Sequence, residues 1–360
     1  MRVAHVLDSL NLGGTETQCV ALVRALAARG IENRLVHFRL GSLRDELDVP
    51  HVTVDRLDFD GFVKPGFPRL VRRLARDLRA WRADVVQTYG FYTNVPGILA
   101  GRLAGVPVRV ASKRGFDTHL TPAQRRVDRL ARYLAHATVV NSEALRVRMI
   151  AEEGPGDITV ISNCVAERGP VVPAQDPIVG MVANFHPPKD QATFLRAAAI
   201  VSERVPTAEF HLIGSGPREA EARALAAELG LGPRVRFLGS LPPQEVWAAV
   251  NRFAVSVLSS RSEGMPNVVL EAMLAARPVV ASDVPGVAEV LENGVTGYLV
   301  RPRDASALAA PIVALLKDPE RAASIGAAGR RHVLSAHSPD RMADDFLELW
   351  RSLGAPSPDA

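Results

Sequence analysis

Two glutamates separated by seven residues form the segment with the clearest capacity for chemistry. Glu263 lies in a loop after an apolar, strand-like run, and Glu271 lies in a helix predicted to open near Val268. Carboxylates accept hydrogen bonds from ribose and sugar hydroxyls, and the free amides of a helix start bind a diphosphate. Gly264 permits close backbone approach, and Asn267 stands at the helix start. The alternative interpretation is a loop–helix junction with a capping acid.

A glycine pair provides a second candidate site. Gly13 and Gly14 lie between the apolar run Val3–Leu7 and a predicted helix over Glu16–Arg29. Two glycines there allow a tight turn and bring helix amides toward an anion. The spacing does not match the GxGxxG of dinucleotide-binding folds. A simple turn is the alternative.

Short apolar runs alternate with helical stretches along most of the chain, which predicts βα units and parallel sheets. The run Arg168–Pro177 carries three prolines and no periodicity, and predicts a linker. We expect two doubly wound, Rossmann-like α/β domains, residues 1–170 and 171–337, facing a central cleft. Residues 338–360 are expected to form a further helix that packs back on the first domain, and a tail.

The motifs together resemble a known family, the glycosyltransferases of family 4, which are retaining enzymes with the GT-B fold. The resemblance covers nearly the whole chain, and the Glu-x7-Glu block of Glu263 and Glu271 is its most specific part. Further matching motifs are Gly13–Glu16, Asn141–Glu143, Val160–Asn163, Leu212–Pro217 (with Gly214), Phe237–Gly239 and Val284–Glu289.

The resemblance implies a division of labour in a nucleotide-sugar site. It places Glu271 on the ribose, Glu263 on the transferred sugar, and the amides near Asn267 and Val268 on the diphosphate. Lys189 matches a phosphate-binding lysine of the family, and the resemblance places the loop of Gly13 and Gly14 against the donor's phosphates and sugar.

Two positions depart from the family pattern. Asn184 stands where an arginine is expected, and asparagine carries no charge for phosphate; His186 and Arg261 are candidate substitutes. Gln87 and Tyr89 occupy positions where family members often carry histidine, and both side chains can hydrogen-bond sugar hydroxyls. Arg114, with Lys113, Asp117 and His119, is a further candidate for the sugar or acceptor cleft, although a solvated loop is the alternative.

No metal-ligand set is evident in the sequence. The only Asp-x-Asp pair, Asp58 and Asp60, lacks the flanking strand expected of a metal-binding motif, so we interpret it as surface charge. We therefore expect a metal-independent reaction without a cofactor. The resemblance makes the substrate a nucleotide diphosphate sugar, with UDP or GDP favoured.

Charge is distributed unevenly along the chain. Residues 1–170 hold 25 basic and 18 acidic side chains, whereas residues 171–360 hold 18 and 21. Much of the excess lies in Arg69–Arg82, an arginine-rich amphipathic segment. An ordinary domain helix explains its apolar face, and a dock for anionic lipid headgroups is the sharper hypothesis. Nucleic acid is disfavoured because no recognition module accompanies the arginines.

Composition favours a folded cytoplasmic protein. The chain has 47% hydrophobic residues and two widely spaced cysteines, and no apolar run reaches the roughly 18 residues of a membrane span. The amino terminus does not match a secretory leader. We expect a cytoplasmic location, with peripheral attachment to the inner face of the membrane as an option, and an arginine-rich composition typical of bacteria with GC-rich genomes.

The resulting hypothesis is a retaining hexosyl- or N-acetylhexosaminyltransferase. Its acceptor would be a glycan or lipid-linked saccharide, in cell-envelope or exopolysaccharide biosynthesis. A non-catalytic nucleotide-sugar-binding subunit and a nucleotide-sugar epimerase on the same fold are the alternatives.

Overall fold

The fold was obtained as a computed structural model, which describes residues 1–11, 13–59, 61–62, 64, 66–115 and 120–357. The chain divides into two compact units. The first comprises Met1–Cys164 together with Pro339–Ala360, and the second comprises Val165–Ser338.

Within its described residues, the first unit holds a seven-stranded parallel sheet of order β3-β2-β1-β4-β5-β6-β7. The strands are β1 Arg2–Ser9, β2 Glu32–Arg39, β3 Val52–Arg56, β4 Val85–Thr88, β5 Val108–Lys113, β6 Ala137–Val140 and β7 Ile158–Val160. The helices that connect them are α1 Gly14–Ala27, α2 Gly66–Trp81, α3 Phe91–Ala104, α4 Pro122–Tyr133 and α5 Glu143–Glu153.

The described part of the second unit holds a six-stranded parallel sheet of order β10-β9-β8-β11-β12-β13. Its strands are β8 Ile178–Val182, β9 Glu209–Ile213, β10 Val235–Phe237, β11 Val255–Leu258, β12 Val279–Ser282 and β13 Gly297–Val300. Its helices are α6 Gln191–Arg204, α7 Glu219–Glu228, α8 Pro243–Val250, α9 Asn267–Leu274, α10 Pro285–Ala288, α11 Ala305–Lys317 and α12 Pro319–Ala336.

A last helix, α13 over Pro339–Ser352, belongs to the first unit. Its Phe346 and Trp350 are fully buried and share a core cluster with Val3 of β1 and Leu22 of α1. The end of the chain therefore completes the first unit's core instead of forming a separate domain.

The unit boundary falls at Cys164, ahead of the expected position at residue 170. Residues that follow it contact the second unit: the Val165 amide donates to the His337 carbonyl at 2.9 Å, and Arg277 donates to the carbonyl of Val172. The proline-rich run is therefore packed as part of the second unit, because its Val172 carbonyl accepts a hydrogen bond from that unit's buried Arg277.

Helix α12 was not predicted from the sequence. Two of its buried positions are Gly326 and Gly329, so the apolar period is weak there. A Cβ on Gly326 would lie 2.1 Å from the Ala276 carbonyl oxygen, which shows how closely the helix approaches its neighbour. Among the described residues, no helix is both long and apolar enough to cross a bilayer.

Candidate active site

The second-unit site residues lie at the carboxyl edge of its sheet, where the strand order reverses. β8 and β11 are neighbours in the sheet, and the loops that leave them carry Lys189 and Glu263. Parallel α/β sheets bind ligands at such a reversal because adjacent loops separate there and leave a crevice. The sequence thus places both residues at the edge where a ligand is expected.

Hydrogen bonds join these two loops independently of any ligand. The buried Ser259 hydroxyl lies 3.1 Å from the Lys189 carbonyl oxygen and 2.9 Å from that of Asp190. The Arg261 amide donates to the Pro188 carbonyl at 2.7 Å. The turn that carries Lys189 is therefore fixed to the loop that carries Glu263.

Lys189 and Glu263 form a direct ion pair. The Lys189 Nζ lies 2.6 Å from Glu263 Oε1, and the two side chains are 28% and 10% exposed. Limited exposure strengthens a charge-assisted hydrogen bond because water competes less for either group. The pair presents a cation suited to phosphate oxygens beside an acceptor suited to hydroxyls.

Asp190 anchors the turn from below. Its backbone adopts a left-handed conformation, with φ of 51°, and its carboxylate accepts from Arg261 at 2.8 Å and from the Thr193 hydroxyl at 2.9 Å. Burial alone would raise the pKa of Asp190, but these hydrogen bonds outweigh it and lower the pKa. Arg261 is therefore engaged by a structural carboxylate.

Two glycines allow the loops to pack closely. Gly214 has φ of +136°, and a Cβ there would lie 2.3 Å from the Ala183 carbonyl oxygen. A Cβ on Gly286, at the start of α10, would lie 1.5 Å from the Gly264 carbonyl oxygen. Gly214 therefore supports the Lys189 loop, and Gly286 supports the Glu263 loop.

Glu271 lies in the second turn of α9 and faces a residue that the sequence analysis did not single out. Arg168 Nη2 lies 3.6 Å from Glu271 Oε1. Burial raises the pKa of Glu271, and Arg168 partly offsets this by lowering it. At the start of the same helix, Asn267 and Val268 follow Pro266, which has no side-chain acceptor to cap their amides.

Asn184 is exposed, and its main chain stabilises the loop after β8. Its carbonyl accepts from the Gln191 side chain at 3.0 Å and from the His186 amide at 2.8 Å. The side chain brings no positive charge to this loop. Of the two candidate substitutes for the family arginine, Arg261 contacts Asp190, and His186 is exposed.

In the first unit, Gly13 and Gly14 lie at the start of α1 as the sequence predicts, but a carboxylate already lies there. A Cβ on Gly13 would lie 2.3 Å from Glu16 Oε2, and the Ser9 hydroxyl donates to Glu16 Oε1 at 3.1 Å. Burial raises the pKa of Glu16. An anionic ligand at this helix start has to displace the Glu16 carboxylate.

Gln87 has a structural role, which corrects its expected place in a sugar cleft. It is fully buried within β4, its amide nitrogen donates to the Ser112 hydroxyl at 2.7 Å, and its oxygen accepts from Trp350 Nε1 at 3.4 Å. Tyr89 is also buried, and its hydroxyl lies 2.9 Å from His5 Nδ1. Both side chains hydrogen-bond within the first unit's core.

Arg114 differs from Gln87 and Tyr89 because some of its N–H donors have no hydrogen-bond acceptor among the described residues. Nη1 donates to Asn163 Oδ1 at 2.8 Å, and the guanidinium lies over the Tyr89 ring at 5.8 Å. Among the described residues, its Nε and Nη2 have no hydrogen-bond partner. Lys113 pairs with Glu153 at 3.2 Å, whereas Asp117 and His119 lie outside the described residues.

No group of three or more His, Cys, Asp or Glu side chains in the described chain is arranged to hold a metal ion. Asp58 pairs with Arg56 at 3.2 Å, and Asp60 lies outside the described residues.

The two doubly wound units identify the architecture as the GT-B fold. A crystal structure of Anabaena Alr3699/HepE in complex with UDP and glucose aligns over 98% of this chain and 100% of its own. The TM-score is 0.83 at 22% sequence identity. This similarity establishes the fold and leaves the substrate open.

Family models then specify the group. The model "Glycosyltransferase Family 4" matches residues 12–167, and "Glycosyl transferases group 1" matches residues 167–332. The chain therefore belongs to glycosyltransferase family 4, which confirms the resemblance noted in the sequence.

Curated relatives match over different lengths. The D-inositol 3-phosphate glycosyltransferase of Nocardia farcinica is 31% identical over 50% of this chain, but that match spans only 42% of the relative. The 2-deoxystreptamine N-acetyl-D-glucosaminyltransferase of Streptomyces fradiae is 25% identical over 94% of this chain and 91% of its own. The chain thus spans under half of the first relative.

Proposed function

We propose that this chain is a retaining glycosyltransferase that takes its sugar from a nucleoside diphosphate sugar, with UDP or GDP as the carrier. The observation that carries the proposal is the ion pair of Lys189 and Glu263 at the strand reversal of the second sheet. Glu271 and the start of α9 belong to the same edge. Together they provide hydrogen-bond donors for the phosphates and hydrogen-bond acceptors for the sugar hydroxyls.

Each residue has a specific part in this proposal. Glu271 accepts from the ribose hydroxyls and Glu263 from the sugar hydroxyls, while Asn184 and Gly214 shape the loop around the donor. Lys189 and the amides of Asn267 and Val268 stabilise the charge that grows on the departing diphosphate. These groups supply the electrostatic stabilisation in a metal-independent reaction.

The transfer balances without a protein nucleophile. The acceptor oxygen forms a bond to the anomeric carbon on the face from which the diphosphate leaves, and the bond from that carbon to the phosphate oxygen breaks. The acceptor proton passes to the departing phosphate. The anomeric configuration is therefore retained.

The first unit is proposed to bind the acceptor, a glycan or lipid-linked saccharide, in cytoplasmic synthesis of envelope or secreted polysaccharide. Gly13 and Gly14, which are donor-binding candidates, contribute backbone amides to the donor once Glu16 is displaced. Arg114 is proposed to receive an anionic acceptor group, because two of its buried nitrogens lack acceptors among the described residues. A hexose or N-acetylhexosamine is the proposed sugar.

Donor binding and hydrolysis test the proposal. Ligand-detected NMR with UDP-, GDP- and ADP-sugars should show one nucleotide class binding, with slow release of free sugar. Glu271→Ala should abolish binding, because the ribose loses its acceptor. Glu228→Ala, on the exposed face of α7, is the matched control and should bind as the wild type does.

The outcomes separate the alternatives. Absence of binding by the wild type would overturn the site assignment. Binding without hydrolysis or transfer to any offered acceptor would favour the non-catalytic nucleotide-sugar-binding subunit. Interconversion of the bound sugar would favour the epimerase.

A further inference from the structure

The helices α2 to α5 form a strongly basic layer on the first unit. α2 packs on α3 and α3 on α4, while Arg129 and Arg132 of α4 reach Glu153 of α5. Residues 66–153, which contain these helices, hold 16 basic and 7 acidic side chains, a net of +9, although the whole chain is only +4. The rest of the chain is therefore net negative, and the positive charge is concentrated in this layer.

Helix α2 contributes charge to this layer without exposed large apolar groups. Leu70, Leu74 and Leu78 face the core and are buried. The arginines of α2 and the one that follows it are exposed, namely Arg69, Arg72, Arg73, Arg76, Arg79 and Arg82. An arginine face of this kind attracts anions. Salt screens this attraction, so charge alone does not keep an anionic partner bound.

Helix α4 supplies the apolar part. It turns Asp128 and Ala131 inward, and it exposes 43% of Val127, 65% of Leu130 and 61% of Tyr133. Their spacing of three residues places them along one ridge of the helix. Water-exposed apolar side chains in such a row mark a contact surface.

Basic residues flank this ridge, and α4 is already folded in the unbound protein. Arg125 and Arg126 are exposed beside Val127, and Arg129 is half-buried one residue before Leu130. Thr121 and Gln124 form a capping box that fixes the start of α4. No folding step is therefore needed before the surface can bind.

The exposed apolar residues concentrate on this layer. Among the described residues, six large apolar side chains of the layer are exposed: Leu103, Val127, Leu130, Tyr133, Val147 and Ile150. Five others are scattered over the rest of the described chain: Leu40, Val172, Leu238, Val295 and Leu334. Positive charge and exposed apolar area thus coincide in the same layer of helices.

We propose that the outer face of α2–α5 is a docking surface for an anionic lipid bilayer, in which Leu130 and Tyr133 enter the interface while the surrounding arginines contact headgroups. A bilayer satisfies both parts of the surface, since it offers negative charge and an apolar interior. A nucleic acid would bind the arginines through its phosphates and would leave the apolar ridge of α4 in water. The surface is independent of the donor site and goes beyond the proposed function.

Vesicle binding by the full-length protein tests the proposal. Co-sedimentation with vesicles of phosphatidylglycerol and phosphatidylcholine should exceed that with phosphatidylcholine alone by at least about tenfold. Leu130→Asp should reduce anionic-vesicle binding by about tenfold, because a charge then has to enter the interface. Leu334→Asp, on the 37%-exposed Leu334 of α12, is the matched control and should bind as the wild type does.

A site-specific label tests insertion. Leu130→Cys can be labelled selectively with an environment-sensitive fluorophore, because Cys19 and Cys164 are buried and burial raises the pKa of each thiol to about 12. The label should brighten and shift to the blue with anionic vesicles, whereas the same label at Leu334→Cys should not.

Two results would overturn the docking surface. One is equal binding of the protein to neutral and anionic vesicles, or equal binding of Leu130→Asp and the wild type to anionic vesicles. The other is binding to duplex DNA or RNA with no binding to vesicles, which would assign the arginines to a nucleic acid. Donor binding by Leu130→Asp is measured in parallel, so that failure of the surface is distinguished from failure of the sugar-transfer proposal.

Discussion

At the residue scale, the Arg168 guanidinium offsets part of the effect of burial on the pKa of Glu271, although Arg168 lies outside the motifs that the sequence offers. In the proposed donor site, Glu271 accepts from two ribose hydroxyls as a carboxylate, and burial opposes its ionisation. The Arg168 guanidinium at 3.6 Å restores part of the preference for the charged form. We regard Arg168 as a positioning residue for the donor site.

The pH dependence of donor binding tests this role. Because the pKa of Glu271 is raised, donor affinity is retained above that pKa and is lost as the pH falls through it. Arg168→Met removes the offset, so the midpoint of the loss should move to higher pH, and donor affinity near the wild-type midpoint should be weaker. Titration of donor binding against pH in each variant measures this.

Two further variants make the result specific. Arg168→Lys should restore most of the wild-type midpoint, because it keeps the charge. Arg330→Met breaks a neighbouring pair with Glu167, at 3.0 Å, and should leave the midpoint in place. An unchanged midpoint in Arg168→Met would contradict the assignment.

The same scale shows where sequence reasoning failed. Glu263, Lys189 and Glu271 could be selected as candidates because their motifs fix both residue type and spacing, and they stay predictions. Gln87 was misplaced because its position near the end of a strand does not reveal which way the side chain points, and the structure turns it into the core. Arg168 contacts Glu271 across a sequence gap of about a hundred residues, which no local pattern encodes.

At the element scale, α10 acts as a support for the loop that carries Glu263. Gly286→Ala should displace this loop, because the new Cβ would lie 1.5 Å from the Gly264 carbonyl oxygen and the backbone has to shift. We expect donor affinity to fall by at least about tenfold, with a loss of stability of about 1–3 kcal/mol. Calorimetric donor titration and chemical denaturation measure the two effects.

A matched glycine distinguishes this contact from a general effect of alanine. Gly156→Ala adds the same methyl group where the nearest atom would be 3.9 Å away, and should change neither quantity. Equal donor affinity in Gly286→Ala and wild type would show that the loop does not depend on α10.

The strands were the most predictable elements, since parallel strands buried on both faces read as continuous apolar runs. Val3–Leu7 and Val85–Thr88 illustrate this, and the structure extends the first of them to Arg2–Ser9. Helix α12 could not be predicted because two of its buried positions are glycines. A glycine has no side chain and so adds nothing to an apolar pattern.

At the scale of the whole molecule, the first unit is built from two distant parts of the chain. Trp350 of α13 is fully buried against β1 and α1 residues and donates to Gln87. Trp350→Ala should destabilise the first unit by about 3–5 kcal/mol, because the remaining cavity cannot collapse. Hydrogen exchange should rise in β1 and β4 while the second unit's strands stay protected.

Trp247→Ala is the control for this variant, since Trp247 lies on α8 of the second unit. It should leave exchange in β1 and β4 unchanged. Uniform loss of protection in both units of Trp350→Ala would mean that the two unfold together.

The return of α13 also sets the order in which a ribosome can complete the molecule. Residues 165–338 are synthesised before residues 339–352, so the first unit still lacks one wall of its core while the second unit is being made. Throughout that interval the apolar residues of β1 and α1 that α13 covers are exposed. A nascent chain stalled before Pro339 would present them to chaperones.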